Sequence, residues 1–195
     1  MIYPIIAYGD PMLRKKTSEI KSDYSELAEI INNLFETMYN AHGVGLAAPQ
    51  IGLPIRLFVI DTGQILNKDD ESAKDSDFYG EVGVKQVFIN AKLINKKGGE
   101  WDFNEGCLSV PTIREDVTRP DEIHLRFYDE NFLRRDEIYS GFNGRVIQHE
   151  YDHIEGILFT DHLKPLKKRL LKNRLLAISR GDVEVDYKMR FPSKK

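Results

Sequence analysis

The chain has 195 residues, 41% of them hydrophobic, and a formal net charge of −3. This length and apolar content suit one folded domain, and the charge excludes a strong attraction of the whole molecule to nucleic acid or an anionic membrane. The sequence has no apolar run long enough to cross a bilayer and no pattern of a targeting segment. Its single cysteine, Cys107, rules out an internal disulfide and fits a reducing compartment. We therefore expect one cytoplasmic domain over residues 1–195, with neither membrane nor DNA as a partner.

The first half of the chain predicts one helix followed by strands. Apolar residues at helical spacing from Asp23 to about Gly43 indicate an amphipathic helix. Strand-like segments follow at residues 55–61, 87–93 and 123–128. Because no helical pattern separates these strands, they favour an antiparallel α+β arrangement. The polar, aperiodic residues 62–86 are expected to form a surface loop.

The second half predicts two more helices. One covers about Gly144 to Ile154, with Gly156 just beyond its end. The other begins at Pro165, a favourable first-turn residue, and stops at Gly181. This C-terminal helix of residues 165–180 is basic, and no acidic residue interrupts its cations, which are Lys164, Lys167, Lys168, Arg169, Lys172, Arg174 and Arg180. We expect one side of the helix to pack on the domain and its charges to occupy the remaining surface. The residues expected to pack are Leu166, Leu170, Leu171, Leu175 and Ile178.

The stretch QHEYDHIEG, residues 148–156, carries two histidines four residues apart. On a helix, His149 and His153 project from one face, and Glu150 lies beside them. Such a pair can bind a divalent metal ion, and the adjacent carboxylate can serve as a general base. The alternative is a chance spacing on a solvated helix, so the metal hypothesis needs a third ligand.

Cys107, in the segment NEGCLSVP, is the best candidate for that ligand. One metalloprotease pattern has a histidine where this chain has Phe159, while Glu155 is too near and Glu184 lies past the third helix. A thiolate with two histidines leaves a coordination position open for water, which is typical of catalytic sites. The alternatives for Cys107 are a buried inert thiol, the usual fate of a lone cysteine, and a nucleophile paired with histidine.

A third motif, HGVGLAAPQ, occupies residues 42–50. Its two glycines allow a ligand to approach the backbone closely, and Gln50 offers an amide donor. The glycine spacing does not match a phosphate-binding loop. Taken alone, the motif would be a tight turn between a helix and a strand.

Together, GVGLAAPQ, EGCLS and QHEYDH resemble the three signature motifs of the peptide deformylase family. The resemblance implies an α+β fold with antiparallel β-sheets wrapped around a central metal-binding helix, an N-terminal amphipathic helix and a C-terminal helix. It also implies a cytoplasmic hydrolase of protein biosynthesis that co-translationally removes the formyl group from the initiator methionine of nascent polypeptides. Two departures are the loop at residues 62–86, which is longer than usual, and the tail after Gly181, which the pattern does not place.

The resemblance also assigns a metal centre. Cys107, His149 and His153 would hold one divalent ion per chain, usually Fe²⁺ in the cell and often Zn²⁺, Ni²⁺ or Co²⁺ in prepared samples. A sulfur and two nitrogens suit several of these ions, so the sequence does not choose among them. Glu150 would take the proton from metal-bound water and deliver it to the leaving amine.

The same resemblance assigns the substrate contacts. The Gln50 amide and the Leu108 backbone N–H would stabilise the oxyanion, together with the metal ion. The N-formylmethionyl peptide would pair in extended form beside Val44 and Gly45. Val44, Leu108 and Val146 are candidates for the pocket that receives the methionine side chain.

Two further expectations concern charged residues. Glu105 is expected to form a salt bridge with Arg119 or Arg114 that holds the cysteine segment in place. The basic C-terminal helix would dock on ribosomal RNA near the exit tunnel, as in some relatives, while the alternative is a solvated helix.

Two other functions share some of these residues. A zinc peptidase would cleave internal amides and ignore the formyl group. A non-enzymatic metal-binding module would not need Glu150 or Gln50, so the presence of both residues argues against it.

Overall fold

The computed structural model describes residues 1–66, 78 and 80–192. Within these residues the chain forms an α+β protein, which confirms the predicted fold class. The helices are α1 Leu27–Asn40, α2 Gly141–Glu155 and α3 Pro165–Arg180. The strands are β1 Ile5–Ile6, β2 Gly45–Ala47, β3 Leu57–Asp61, β4 Lys85–Cys107, β5 Val110–Tyr128, β6 Arg134–Tyr139 and β7 Met189–Arg190.

Five strands form one antiparallel sheet in the order β2-β3-β4-β5-β6. The predicted strand at residues 55–61 begins two residues before β3, and the other two lie within β4 and β5. Strands β4 and β5 are 23 and 19 residues long and form one extended hairpin. The expected limits of these strands at Leu93 and Ile123 are therefore wrong. The pairing of β4 with β5 shifts register at four points, and such irregularities break the two-residue alternation that marks a strand in sequence.

A second, two-stranded sheet joins the two ends of the chain. Strand β1 pairs with β7 in parallel, with Ile5 opposite Met189 and Ile6 opposite Arg190. Both isoleucines are buried. This pairing gives a place to the segment after Gly181, which the sequence pattern did not.

Helix α1 packs an apolar face into the core, as its spacing predicts. Its buried apolar residues are Ile30, Ile31, Leu34 and Met38. The helix begins at Leu27, later than expected, because Glu26 has a left-handed backbone with φ of 60°. Of the predicted loop at residues 62–86, positions 67–77 and 79 lie outside the described residues.

Helix α3 has the predicted bounds, and Gly181 ends it in a left-handed conformation. Leu171, Leu175 and Ile178 are buried against the body of the protein. The expectation that Leu166 and Leu170 also pack inward is wrong, since they are 69% and 68% exposed. The buried stripe thus begins at Leu171 and does not include the two leucines before it.

Helix α2 carries an unusual share of buried polar side chains. It starts at Gly141, one turn earlier than predicted, and ends at Gly156 as predicted. The helix packs against β2, β3 and β5, and its buried polar residues are Arg145, Gln148, Glu150, Asp152 and His153. Burying such groups is costly unless they are paired, so this helix is where a functional site is expected. Within the described part of the chain, no helix has the length and apolar character needed to span a bilayer.

Candidate active site

Three potential metal ligands meet at one point. Cys107 is the last residue of β4, and His149 and His153 are one turn apart on α2. One donor atom from each of the three side chains lies within 4.8 Å of the other two. The Cys107 Sγ atom is 3.2 Å from His153 Nε2. The structure therefore brings together all three ligands predicted from the sequence.

The chemistry of these donors fits a divalent metal ion. One sulfur and two imidazole nitrogens form a ligand set suited to Zn²⁺, Fe²⁺, Ni²⁺ or Co²⁺. Burial lowers the pKa of His153 well below its ordinary value, which keeps this imidazole neutral and its lone pair available. His149 directs Nδ1 toward Glu105 Oε2 at 3.0 Å, so its other nitrogen is the one that can bind a metal.

A buried ionic network holds His149 in place. Glu105 accepts two hydrogen bonds from Arg119, at 2.7 and 3.0 Å, and one from Arg145 at 3.1 Å. Arg119 also donates to Asp152 Oδ2 at 2.7 Å. Burial opposes ionisation of Glu105, but hydrogen bonds from His149 and Arg119 outweigh it and hold the pKa of this carboxyl far below its ordinary value. Glu105 is therefore a carboxylate that fixes the ring of His149.

Glu150 lies beside this centre in a confined space. The residue is only 4% exposed, and burial raises the pKa of its carboxyl to about 7. Its Oε2 atom is buried and has no hydrogen-bond partner among the described residues. A Cβ atom at Gly45 would lie only 2.5 Å from Glu150 Oε1, so glycine at this position makes room for the carboxylate.

The side chain of Gln50 is oriented by two contacts. Its Oε1 atom accepts a hydrogen bond from the Ala47 backbone N–H at 2.8 Å. The amide nitrogen consequently faces the metal ligands, and it donates to Ser109 Oγ at 3.2 Å and lies 3.7 Å from Cys107 Sγ. Gln50 is 1% exposed, which shields this amide from competing solvent.

An open cleft of about 590 Å³ gives access to these groups. Its volume is within the range of sites that bind small molecules and short peptide segments. The lining includes every residue predicted to act in catalysis or substrate binding: Val44, Gly45, Gln50, Leu108, Val146 and Glu150. Cys107 and His149 line the same cleft.

Three residues at the site have no role predicted from the sequence: Ser109, Arg145 and Tyr187. Arg145 stands four residues before His149, so the helical spacing that pairs the histidines could have placed it on their face. Tyr187 carries no local signal, because its hydrogen bond to Leu108 spans 79 residues of sequence. Of the two partners expected for Glu105, Arg119 is correct, whereas Arg114 bonds to Asn104 instead.

A three-donor metal site beside a cleft, flanked by a buried carboxylate and an amide, is the arrangement of a single-metal hydrolase. The family model for polypeptide deformylase matches residues 2–169 of this chain. The chain therefore belongs to the polypeptide deformylase family and is an enzyme of that class.

Individual proteins agree with this assignment over nearly their whole lengths. A peptide deformylase from Christiangramia forsetii is 55% identical over 100% of this chain and 98% of the relative. One from Flavobacterium psychrophilum is 52% identical over 100% of both chains. The crystal structure of a peptide deformylase from Legionella pneumophila aligns with a TM-score of 0.75 at 33% identity, covering 93% of this chain and 98% of that chain.

Proposed function

We propose that this protein hydrolyses the formyl group from the N-terminal methionine of newly synthesised polypeptides and releases formate. The observation that carries the proposal is that Cys107, His149, Glu150 and Gln50 line one cleft, while His153 lies with Cys107 and His149 in one group of potential metal ligands. We further propose that the described fold acts as one catalytic domain and works in the cytoplasm. There it would meet nascent chains.

Cys107, His149 and His153 would hold one divalent ion, which we propose is Fe²⁺ in the cell. Such an ion supplies Lewis acidity, which polarises a carbonyl group and makes water a better nucleophile. Glu105 contributes by orienting His149 through the hydrogen bond to Nδ1.

Glu150 is proposed as the general base and acid. It would take a proton from the attacking water and return that proton to the methionine nitrogen as the C–N bond to the formyl carbon breaks. The Gln50 amide and the Leu108 backbone N–H would donate hydrogen bonds to the oxygen that gains negative charge. Removing one such donor typically lowers the rate by about two to three orders of magnitude.

The substrate peptide has a suitable docking edge at β2. This strand is the first in the sheet order, so among the described residues only one of its sides is paired within the sheet. Val44 and Gly45 lie along the cleft at this edge, and an extended peptide can add to it as a further strand. The methionine side chain would then occupy the apolar surface formed by Val44, Leu108 and Val146.

Formate release from formyl-Met-Ala-Ser by metal-loaded protein tests the proposal. Acetyl-Met-Ala-Ser is the matched control, because it differs from the substrate by one methyl group on the acyl carbon. Casein tests the zinc-peptidase alternative. We expect formate from the formyl peptide and no cleavage of the other two. Casein hydrolysis without formate release would favour the peptidase, and no turnover of any substrate would contradict both.

We also propose that α3 docks on ribosomal RNA. Its basic side chains are exposed, and three are bound by the protein itself: Lys167 by Glu115, Lys168 by the Asp161 carbonyl and Arg174 by the Thr112 carbonyl. Arg169 and Lys172 offer exposed cations for phosphate contacts, next to the exposed Leu170. Such contacts weaken steeply as salt increases.

Charge reversal tests this docking without removing any part of the fold. Arg169→Glu combined with Lys172→Glu should abolish co-sedimentation with ribosomes at low salt and leave tripeptide turnover unchanged. Lys96→Glu combined with Lys97→Glu reverses the same amount of charge on the exposed β4-β5 hairpin and serves as the control. Equal co-sedimentation of the two double variants would show that α3 is only part of the scaffold.

A further inference from the structure

The residues after α3 form one wall of the cleft. We call residues 182–190 the C-terminal strap. The strap starts beyond Gly181 and ends in β7, whose pairing with β1 anchors it to the N-terminal segment. Between these two ends, Glu184, Val185, Asp186 and Tyr187 line the cleft. The family model matches only residues 2–169, so the strap lies outside it.

Tyr187 connects the strap to the turn that carries Leu108. The Tyr187 hydroxyl donates a hydrogen bond to the Leu108 carbonyl oxygen at 2.9 Å. Both side chains are partly buried against the same core cluster, which restricts the motion of the tyrosine ring. Burial raises the pKa of the Tyr187 hydroxyl above its ordinary value, so it keeps the proton that it donates.

The turn itself is short, and it follows the proposed metal ligand Cys107 and contains the proposed donor Leu108. Strand β4 ends at Cys107 and β5 begins at Val110, and these two residues face each other in the ladder. Leu108 and Ser109 form the link between them. Two contacts fix Ser109: the Tyr8 N–H donates to its carbonyl at 2.8 Å, and Gln50 donates to its hydroxyl at 3.2 Å. Tyr187 binds the carbonyl of the peptide unit that joins Leu108 to Ser109.

We propose that Tyr187 is a positioning residue for deformylation. By binding the Leu108 carbonyl, it fixes the peptide unit that follows Leu108 and limits rotation about the Leu108 backbone. This keeps the preceding peptide unit, which carries the Leu108 N–H, directed at the oxygen that becomes negatively charged. The inference rests on the proposed function, because it assumes that Leu108 supplies that donor. It also means that full deformylase activity requires the C-terminal strap, a segment remote in sequence from all three motifs.

Tyr187→Phe tests the inference, since it keeps the ring in the cleft wall and deletes the hydroxyl. We expect kcat for formate release from formyl-Met-Ala-Ser to fall about tenfold, the rate equivalent of one hydrogen bond. KM and the affinity for the product Met-Ala-Ser should stay unchanged, because the lost contact matters only when the oxyanion forms. Metal content should also stay unchanged.

The matched control is Tyr139→Phe. Tyr139 donates its hydroxyl to Glu137 at 2.7 Å and does not line the cleft. A kcat of Tyr187→Phe within twofold of that of Tyr139→Phe would overturn the inference. The proposed function would still stand in that case if the wild-type protein releases formate. Loss of metal, or a larger fall in Tm than in the control, would assign the hydroxyl to the fold and also overturn the inference. A wild-type protein that releases no formate would overturn the proposed function and the inference together.

Discussion

Replacing Gly45 with alanine should disable the enzyme by a single steric contact. An added Cβ atom at this position would lie 2.5, 2.7 and 2.8 Å from Oε1, Cγ and Cδ of Glu150. Carbon atoms in contact settle about 3.5–4 Å apart, so the new methyl group and the carboxylate must separate by about 1 Å. Neither side yields easily, because β2 is paired with β3 and Glu150 is 4% exposed on α2.

The size of the effect follows from that displacement. A misplacement of about 1 Å in a catalytic group can lower the rate about 100-fold. We therefore expect kcat/KM for formate release to fall about 100-fold in Gly45→Ala. The three atoms nearest to the new methyl group all belong to Glu150 and none to a metal ligand, so metal content should stay near that of the wild type.

Gly99→Ala provides the control for the substitution itself. A Cβ atom at Gly99, in the β4-β5 hairpin, would meet no other atom within 4 Å. Formate release, metal content and Tm should be measured for both variants. If Gly45→Ala retained activity within threefold of Gly99→Ala, the position of Glu150 could not be as critical as the proposed mechanism requires.

Three further results are expected. Glu150→Gln should keep one metal ion per chain, measured by mass spectrometry, but lose nearly all formate release; full activity of the metal-loaded variant would exclude Glu150 as the base. Arg119→Met should lower the free energy of unfolding by about 3–5 kcal/mol in urea titrations, because it removes the buried cation that bridges Glu105 and Asp152. A loss below about 1 kcal/mol would contradict the role of this network. Iron-loaded protein should lose activity in air faster than nickel-loaded protein, and equal rates would point to oxidation of Cys107 instead.

The predictions that the structure confirms depend on local sequence. His149 and His153 face the same way because a helix repeats every 3.6 residues, and Gly156 ends that helix in a left-handed conformation. Pro165 and Gly181 mark the ends of α3 for equally local reasons. The one nonlocal relation among the ligands is the placement of Cys107 beside the two histidines; the residues make Cys107 the best candidate, and the family resemblance assigns it.

Only the tertiary structure decides what surrounds these motifs. The β4-β5 hairpin extends far beyond the predicted strands. Its register shifts break the two-residue alternation that would mark these strands in the sequence, and the pairing is set by the partner strand. The network of Glu105, Arg119 and Arg145 depends on burial, because charged groups away from water form strong, fixed ion pairs. The sequence does not show which charged residues are buried. Tyr187 reaches Leu108 because a two-residue parallel pairing brings the chain's ends together. Two residues are too few to show a period, so the sequence alone could not reveal that contact.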